Sequence, residues 1–330
     1  MQIKINKALI TISSPFQCIC ALEAIRKFQI SNFKFVVICN SGIRRQQIDK
    51  LLEWQDIEYI SIDSPNFVVF VKKLILGQDC LDTKDYDFGI CGDFKNVNML
   101  LFQVRHLLFG TQMMYVDDGF TSIYPLNNIT YEDKKVQRRY RLYKFLRCLK
   151  KIDDRNYFSI FKPGETKYNV TCNSLEILRK LACNNKSGVY ILGTVVQFID
   201  SILPKTSFVN YFESTLCYIR KTYPHESIFY SPHGRSIEPD AVRVLCDKYG
   251  VTIIPSKYSV EIDYSFNGYN PVCIIGYGST ALISLKKIFP NADILNIHLP
   301  SKEKLFEDKN NMIEKYLRNE SICSINFDSI

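Results

Sequence analysis

Residues 271–299 read PVCIIGYGSTALISLKKIFPNADILNIHL, and the parsing of this stretch settles the fold class. An apolar run, PVCIIGY, meets Gly278, Ser279 and Thr280 at the start of an amphipathic helix, TALISLKKIF, and a second apolar run, ADILNIHL, follows. Strand, helix and strand in that order give a parallel sheet covered on both faces.

The same alternation extends upstream. GVYILGT, the long helix SFVNYFESTLCYIRKTY, SIFYS, the helix PDAVRVLCDKY and VTIIPS complete one series. An earlier series holds ALITIS, a helix over 15–28, FKFVVIC, the helix RRQQIDKLLEW and IEYISI. It continues with a helix opened by Ser64 and Pro65, YDFGIC, a helix around VNMLLFQVRH, and TQMMYV. An irregular junction near 152–187 separates the two series, and 330 residues exceed what one core comfortably fills. The expectation is an α/β protein of two doubly wound, Rossmann-like domains facing a central cleft. Residues 1–185 form the first and 186–300 the second, and the helix KEKLFEDKNNMIEKYLRNE within 301–330 crosses back to brace the first.

Composition adds the setting. With 46% hydrophobic and 23% charged residues, the chain is an ordinary globular one. Its 12 cysteines include no Cys-x-x-Cys, which favours reduced thiols over a disulfide framework or a zinc site. No apolar run approaches the roughly 18 residues that span a bilayer. The opening MQIKINKALITISS lacks a signal-peptide core, so a cytoplasmic location is expected.

The net charge of +8 is concentrated in 134–151, KKVQRRYRLYKFLRCLKK, with nine Lys or Arg and no acid. Leu142, Phe145, Leu146 and Leu149 fall at helical spacing beside those cations. Such a helix suits an anionic membrane surface, each nearby cation contributing about 1 kcal/mol. The plainer reading docks the stripe on the core and leaves the charges solvated. Nucleic acid is not expected as a partner, because no recognised binding motif accompanies the charge.

Several strand ends carry groups with chemistry. YVDDGFTSIY delivers Asp117 and Asp118 past an apolar strand, although Asp-Gly is also a turn dipeptide. SIFYSPHGRS ends on His233 and Arg235, Glu261 follows VTIIPS, and Ser279 and Thr280 open a helix. Together they offer a cation, a carboxylate and two hydroxyls backed by a helix N-terminus, a set suited to a nucleoside monophosphate. Each has a plain structural alternative: an N-cap for Ser279 and Thr280, a turn for His233, a solvated loop for Glu261.

Taken in order, these motifs resemble the bacterial sialyltransferases of GT-B fold, including the lipooligosaccharide sialyltransferase and polysialyltransferase families. SSPFQ, with Pro15 and Gln17, resembles their opening loop, and YILGTVVQ, with Gly193 and Thr194, the glycine-bearing loop that opens their second domain. The resemblance implies Asp117 as general base, with Asp118 and Gly119 completing its motif and Gln17 on the acceptor side. It implies His233, with Arg235 beside it, at the donor phosphate, Glu261 at the ribose, and Gly278, Ser279 and Thr280 around the phosphate. One departure is that the family's histidine precedes a proline, whereas here Pro232 precedes His233 and Gly234 follows.

The implied activity is inverting transfer of sialic acid from CMP-sialic acid to a sugar hydroxyl, galactose first, of a bacterial surface glycan that can be lipid-linked. Kdo and other nonulosonic acids are also supplied as CMP esters and stay open. A monophosphate leaving group can be served by His233, hydroxyls and a helix dipole, so neither a metal nor another cofactor is expected. Three alternatives remain. Asp85 and Asp87 in KDYDFG can hold a divalent cation against a UDP-sugar. The same double fold serves mutases and epimerases, and a non-catalytic protein can bind a membrane or nucleic acid through 134–151.

Overall fold

A computed structural model describes residues 5–39, 42–62, 85–92, 99, 102–103, 106, 111–122, 156–162, 166, 168–182, 185–203, 207–234 and 236–326. The helix expected at Ser64 and Pro65, the basic segment 134–151 and Arg235 lie outside these residues.

Two compact units divide between Asn173 and Ser174. In the first, seven strands pair in parallel in the order β3-β2-β1-β4-β5-β6-β7 among the described residues. These are β1 (Lys7–Ile12), β2 (Asn32–Ile38), β3 (Tyr59–Ile62), β4 (Phe88–Cys91), β5 (Gln112–Val116), β6 (Asn156–Ser159) and β7 (Asn169–Cys172). Helix α1 (Pro15–Phe28) starts where Ser14 Oγ accepts the Gln17 N–H and Pro15 sets the first helical φ. It ends at Gln29, in left-handed conformation at φ 54°. Helix α2 (Ile43–Trp54) links β2 to β3. Met99, Phe102, Gln103 and His106, spaced i, i+3, i+4 and i+7, are helical and buried on one face.

The second unit repeats the plan with β8 (Lys186–Leu192), β9 (Ile228–Ser231), β10 (Val251–Ile253), β11 (Tyr269–Gly276), β12 (Asp293–Ile297) and β13 (Cys323–Ile325). Their order is β10-β9-β8-β11-β12-β13, again all parallel. The helices are α3 (Glu176–Leu181), α4 (Val196–Ile202), α5 (Phe208–Thr222), α6 (Asp240–Tyr249), α7 (Val260–Phe266), α8 (Ala281–Ile288) and α9 (Lys304–Asn319). Its core joins Val189 and Ile191 of β8, Tyr230 of β9 and Ile275 of β11 to Phe208, Phe212 and Leu216 of α5, each buried. In both sheets the strand order reverses beside the first strand, between β1 and β4 and between β8 and β11. In doubly wound sheets that reversal is where the loops part and leave room for a ligand.

Two sequence expectations differ from this. The stretch read as an irregular junction contains β6, β7 and α3; the strands NYFS and NVTC are four residues each and begin with Asn, too short to register as apolar runs. The unit boundary falls before 185 because α3 packs against α7 and α8 of the second unit. The C-terminal helix, α9, packs against α8 and leads into β13, which pairs with β12.

Candidate active site

Residues that the sequence assigns to chemistry sit at the carboxyl ends of both sheets, and each unit builds its own set. In the first, β5 runs out through Val116 into Asp117 and Asp118, and the two side chains meet different fates. Asp117 is 0% exposed; Ser159 Oγ donates to its Oδ1 at 2.7 Å and the Ile160 N–H to its Oδ2 at 2.6 Å. Both oxygens thereby hold the chain leaving β6. Asp118 is half-buried, with Ser14 Oγ donating to its Oδ1 at 3.1 Å and its own N–H bonded to Ser122 Oγ at 2.8 Å. Gly119 follows at φ +65°, a left-handed conformation that turns the chain into the short 3-10 helix Gly119–Ser122.

Gln17, in the first turn of α1, is fully buried beside the β1/β4 reversal. Its Oε1 accepts from the Ser13 N–H at 2.7 Å, and its Nε2 has no hydrogen-bond partner among the described residues. A Cβ on Gly92 would come within 2.3 Å of this side chain, which would then have to shift.

In the second unit, Gly193 N–H donates to Ser231 O at 2.7 Å, joining the loop after β8 to the end of β9. Thr194 follows, half-buried. A Cβ on Gly193 would lie 2.7 Å from His233 N and 2.8 Å from Ser231 O, so the close approach of the two loops requires glycine. His233 is half-buried and its carbonyl accepts from the Ser236 N–H at 2.7 Å, closing a turn.

Hydrogen bonds carry this edge onward. Ser231 Oγ bonds to Tyr264 Oη on α7 at 2.8 Å. Glu261, on the same helix and 7% exposed, accepts from Ser284 Oγ of α8 at 2.7 Å. Asp263 tethers the preceding loop by accepting the Lys257 and Tyr258 N–H groups, each at 3.0 Å. At the head of α8, Ser279 Oγ accepts the Ala281 N–H at 3.3 Å, which leaves its own proton free to donate outward. Thr280 is the N-cap residue, half-buried and without a side-chain cap bond. Gly278, at φ +62°, makes the turn before them. The loops of His233, Glu261 and Ser279, separate in sequence, are thus linked through Tyr264 and Ser284. Neither linking residue was singled out from sequence, because a Tyr and a Ser inside helices carry no local signal.

Asp85 and Asp87 fall elsewhere. Asp87 precedes β4, at the amino edge of the first sheet, and its oxygens accept from the Asn6 and Lys7 N–H groups at 3.3 and 2.9 Å. Its carboxylate pins the start of β1, at the opposite edge from Asp117 and Asp118.

No protein-family model and no curated protein matches the sequence. Solved structures do. An α/β-galactoside α-2,3-sialyltransferase from the luminous marine bacterium Photobacterium phosphoreum is 12% identical with a TM-score of 0.54, over 98% of both chains. MurG from Acinetobacter baumannii is 10% identical with a TM-score of 0.52, over 98% of this chain and 87% of that one. A UDP-GlcNAc 2-epimerase from Neisseria meningitidis, bound to UDP-GlcNAc, is 13% identical with a TM-score of 0.51, over 96% and 91%. The fold is GT-B. At such identities the likeness extends to architecture alone, and the GT-B fold is shared here by a transferase and an epimerase.

Burial pushes the Glu261 carboxyl above the usual carboxylate range, opposed by the Ser284 bond. Its contribution to folding is therefore complete below about pH 4.3, the unfolded value, and is lost as pH rises through the higher folded value. Glu261→Gln keeps an oxygen for Ser284 and removes the ionised form. Its Tm is expected to match wild type in mild acid and to exceed it increasingly toward neutral pH. Thermal unfolding of both proteins from about pH 4 to 8 checks this; parallel curves would show that burial does not strain the carboxylate.

Proposed function

We propose that the chain is an inverting glycosyltransferase that moves sialic acid, or a related nonulosonic acid, from its CMP ester to a sugar hydroxyl of a bacterial surface glycan. The observation that carries the proposal is the hydrogen-bonded edge of the second unit. Its bonds tie the strand end before His233 to the helix of Glu261, and Glu261 to the helix opened by Ser279 and Thr280; these residue types suit one phosphate and one ribose.

In this reading Ser279 Oγ, Thr280 Oγ1 and the amino end of α8 hold the CMP phosphate, and Glu261 accepts from the ribose hydroxyls. The acceptor hydroxyl is too weak an acid to attack unaided. Asp118 takes its proton as the acceptor oxygen bonds to the anomeric carbon from the face opposite CMP and the bond to the phosphate oxygen breaks. Charge then grows on the departing CMP, where a protonated His233 stabilises it. We assign the base to Asp118 rather than Asp117 because both oxygens of Asp117 are committed inside the unit and its carboxylate is sealed from solvent.

The pure protein incubated with CMP-sialic acid and a glycan panel should yield sialylated product by mass spectrometry, with galactose-terminated acceptors the first to test. EDTA is expected to leave the initial rate unchanged, since His233 and the α8 terminus serve the monophosphate. A collapse restored by Mn2+ would favour a metal-dependent transferase. The competing UDP-sugar reading placed that metal at Asp85 and Asp87, but Asp87 already binds the backbone at the amino edge of the sheet. An epimerase would instead convert the sugar nucleotide with no acceptor present. In the proposal the enzyme works at the inner face of the cytoplasmic membrane, with 134–151 as its contact with anionic lipid. No helix among the described residues is long and apolar enough to cross a membrane.

A further inference from the structure

We propose that Asn296 is a positioning residue for the donor, setting the Gly278–Thr280 turn from the neighbouring strand; this rests on the donor-site reading above. Asn296 lies in β12 with Gly276 of β11 paired on one side and Ser324 of β13 on the other. It is 1% exposed. Its Oδ1 accepts the Gly278 N–H at 2.8 Å and its Nδ2 donates to Ser324 Oγ at 3.1 Å. Only one amide orientation serves, because a backbone N–H can only donate.

A polar side chain sealed inside a parallel sheet costs stability unless it is paired, and both pairings here serve the turn. Gly278 needs the hold. It sits at φ +62°, and beside it lies a small pocket lined by Asn296, His298, Asn310 and Glu314 among others. Where a Cβ on Gly278 would stand, the nearest atom is Asn310 Oδ1 at 3.4 Å, so packing on that flank does not fix the turn. The bond to Asn296 does. Ser279 and Thr280 follow directly, so the direction of their hydroxyls is inherited from a residue 16 or more positions away in sequence that never touches the nucleotide. Through Ser324 the donor turn is also tied to the last strand.

The test is CMP binding by calorimetry alongside donor and acceptor kinetics. Asn296→Ala is expected to weaken CMP binding about tenfold, the equivalent of one net hydrogen bond. It should raise the donor KM in proportion and leave the acceptor KM unchanged. Asn296→Asp keeps the oxygen for Gly278 and should stay within a few-fold of wild type. Ser324→Ala, at an exposed edge position that leaves folding intact, should show a smaller loss of the same kind. In the double variant with Ser279→Ala the two losses should not multiply, since both act through one turn. Wild-type CMP affinity in Asn296→Ala, losses that multiply, or equal loss in Asn296→Asp and Asn296→Ala would overturn the inference while leaving the donor site standing. Failure of the wild-type protein to bind CMP would overturn the donor-site reading, and this inference with it.

Discussion

Asp118→Asn is expected to lower kcat by about 10²–10⁴-fold, the usual contribution of a positioned general base, while CMP binds as in wild type. The amide retains an oxygen for the Ser14 hydroxyl, so the local fold should survive, but it cannot take a proton from the acceptor. Asp117→Asn tests the opposite property. Its Oδ2 receives a backbone N–H and its Oδ1 a hydroxyl, so an amide that keeps its oxygen on the N–H turns its NH2 toward Ser159 Oγ and leaves that hydroxyl's proton without its acceptor. A buried donor left unpaired costs about 1–3 kcal/mol, read as a lower Tm with activity retained in the folded fraction. Steady-state kinetics and thermal unfolding on both variants decide between the two residues. An inactive Asp117→Asn of normal stability beside an active Asp118→Asn would return the base to Asp117.

Gly193→Ala carries the second large effect. The added Cβ would meet His233 N at 2.7 Å, Ser231 O at 2.8 Å and Pro232 Cα at 2.9 Å, all of them backbone atoms with no rotamer to yield. The loops after β8 and β9 must then separate, which costs roughly 1–3 kcal/mol as an overpacked site and displaces His233, the residue proposed to meet the departing phosphate. Losing a preorganised charge stabiliser lowers kcat on the order of 10²–10³-fold. Gly234→Ala supplies the control one residue beyond the histidine: a Cβ there has open space and no positive φ to strain. It should change neither Tm nor kcat appreciably. Similar effects at 193 and 234 would mean that the approach of the two loops does not place His233.

Both contrasts show where sequence reading stopped. Asp117 and Asp118 are adjacent and identical in type, and nothing local distinguishes them. Their partners lie 42, 43 and 104 residues away, so which carboxylate is sealed and which lies near solvent depends on how β6 and α1 arrive beside β5. The glycine of GVYILGT was legible as a loop, and its reason was not, since the obstructing atoms belong to the end of β9. Asp87 looked like half of a metal-binding pair by spacing alone, and the backbone of β1 occupies it instead.

What the sequence determined by itself was the alternation. Continuous apolar runs separated by amphipathic helices can bury their side chains only as parallel strands covered on both faces, so two parallel sheets follow from burial demands local to each element. The loops holding acidic, histidine and hydroxyl groups fell at the carboxyl ends of strands for the same reason. The four-residue strands β6 and β7 escaped, because their burial comes from neighbours rather than from their own apolar content. Only the tertiary structure decided the site's inner wiring: Tyr264 to Ser231, Ser284 to Glu261, and Asn296 between Gly278 and Ser324. A hydrogen bond between side chains is set by the register of strands and helices far apart in the chain, and no periodicity within one segment records which partner it will meet.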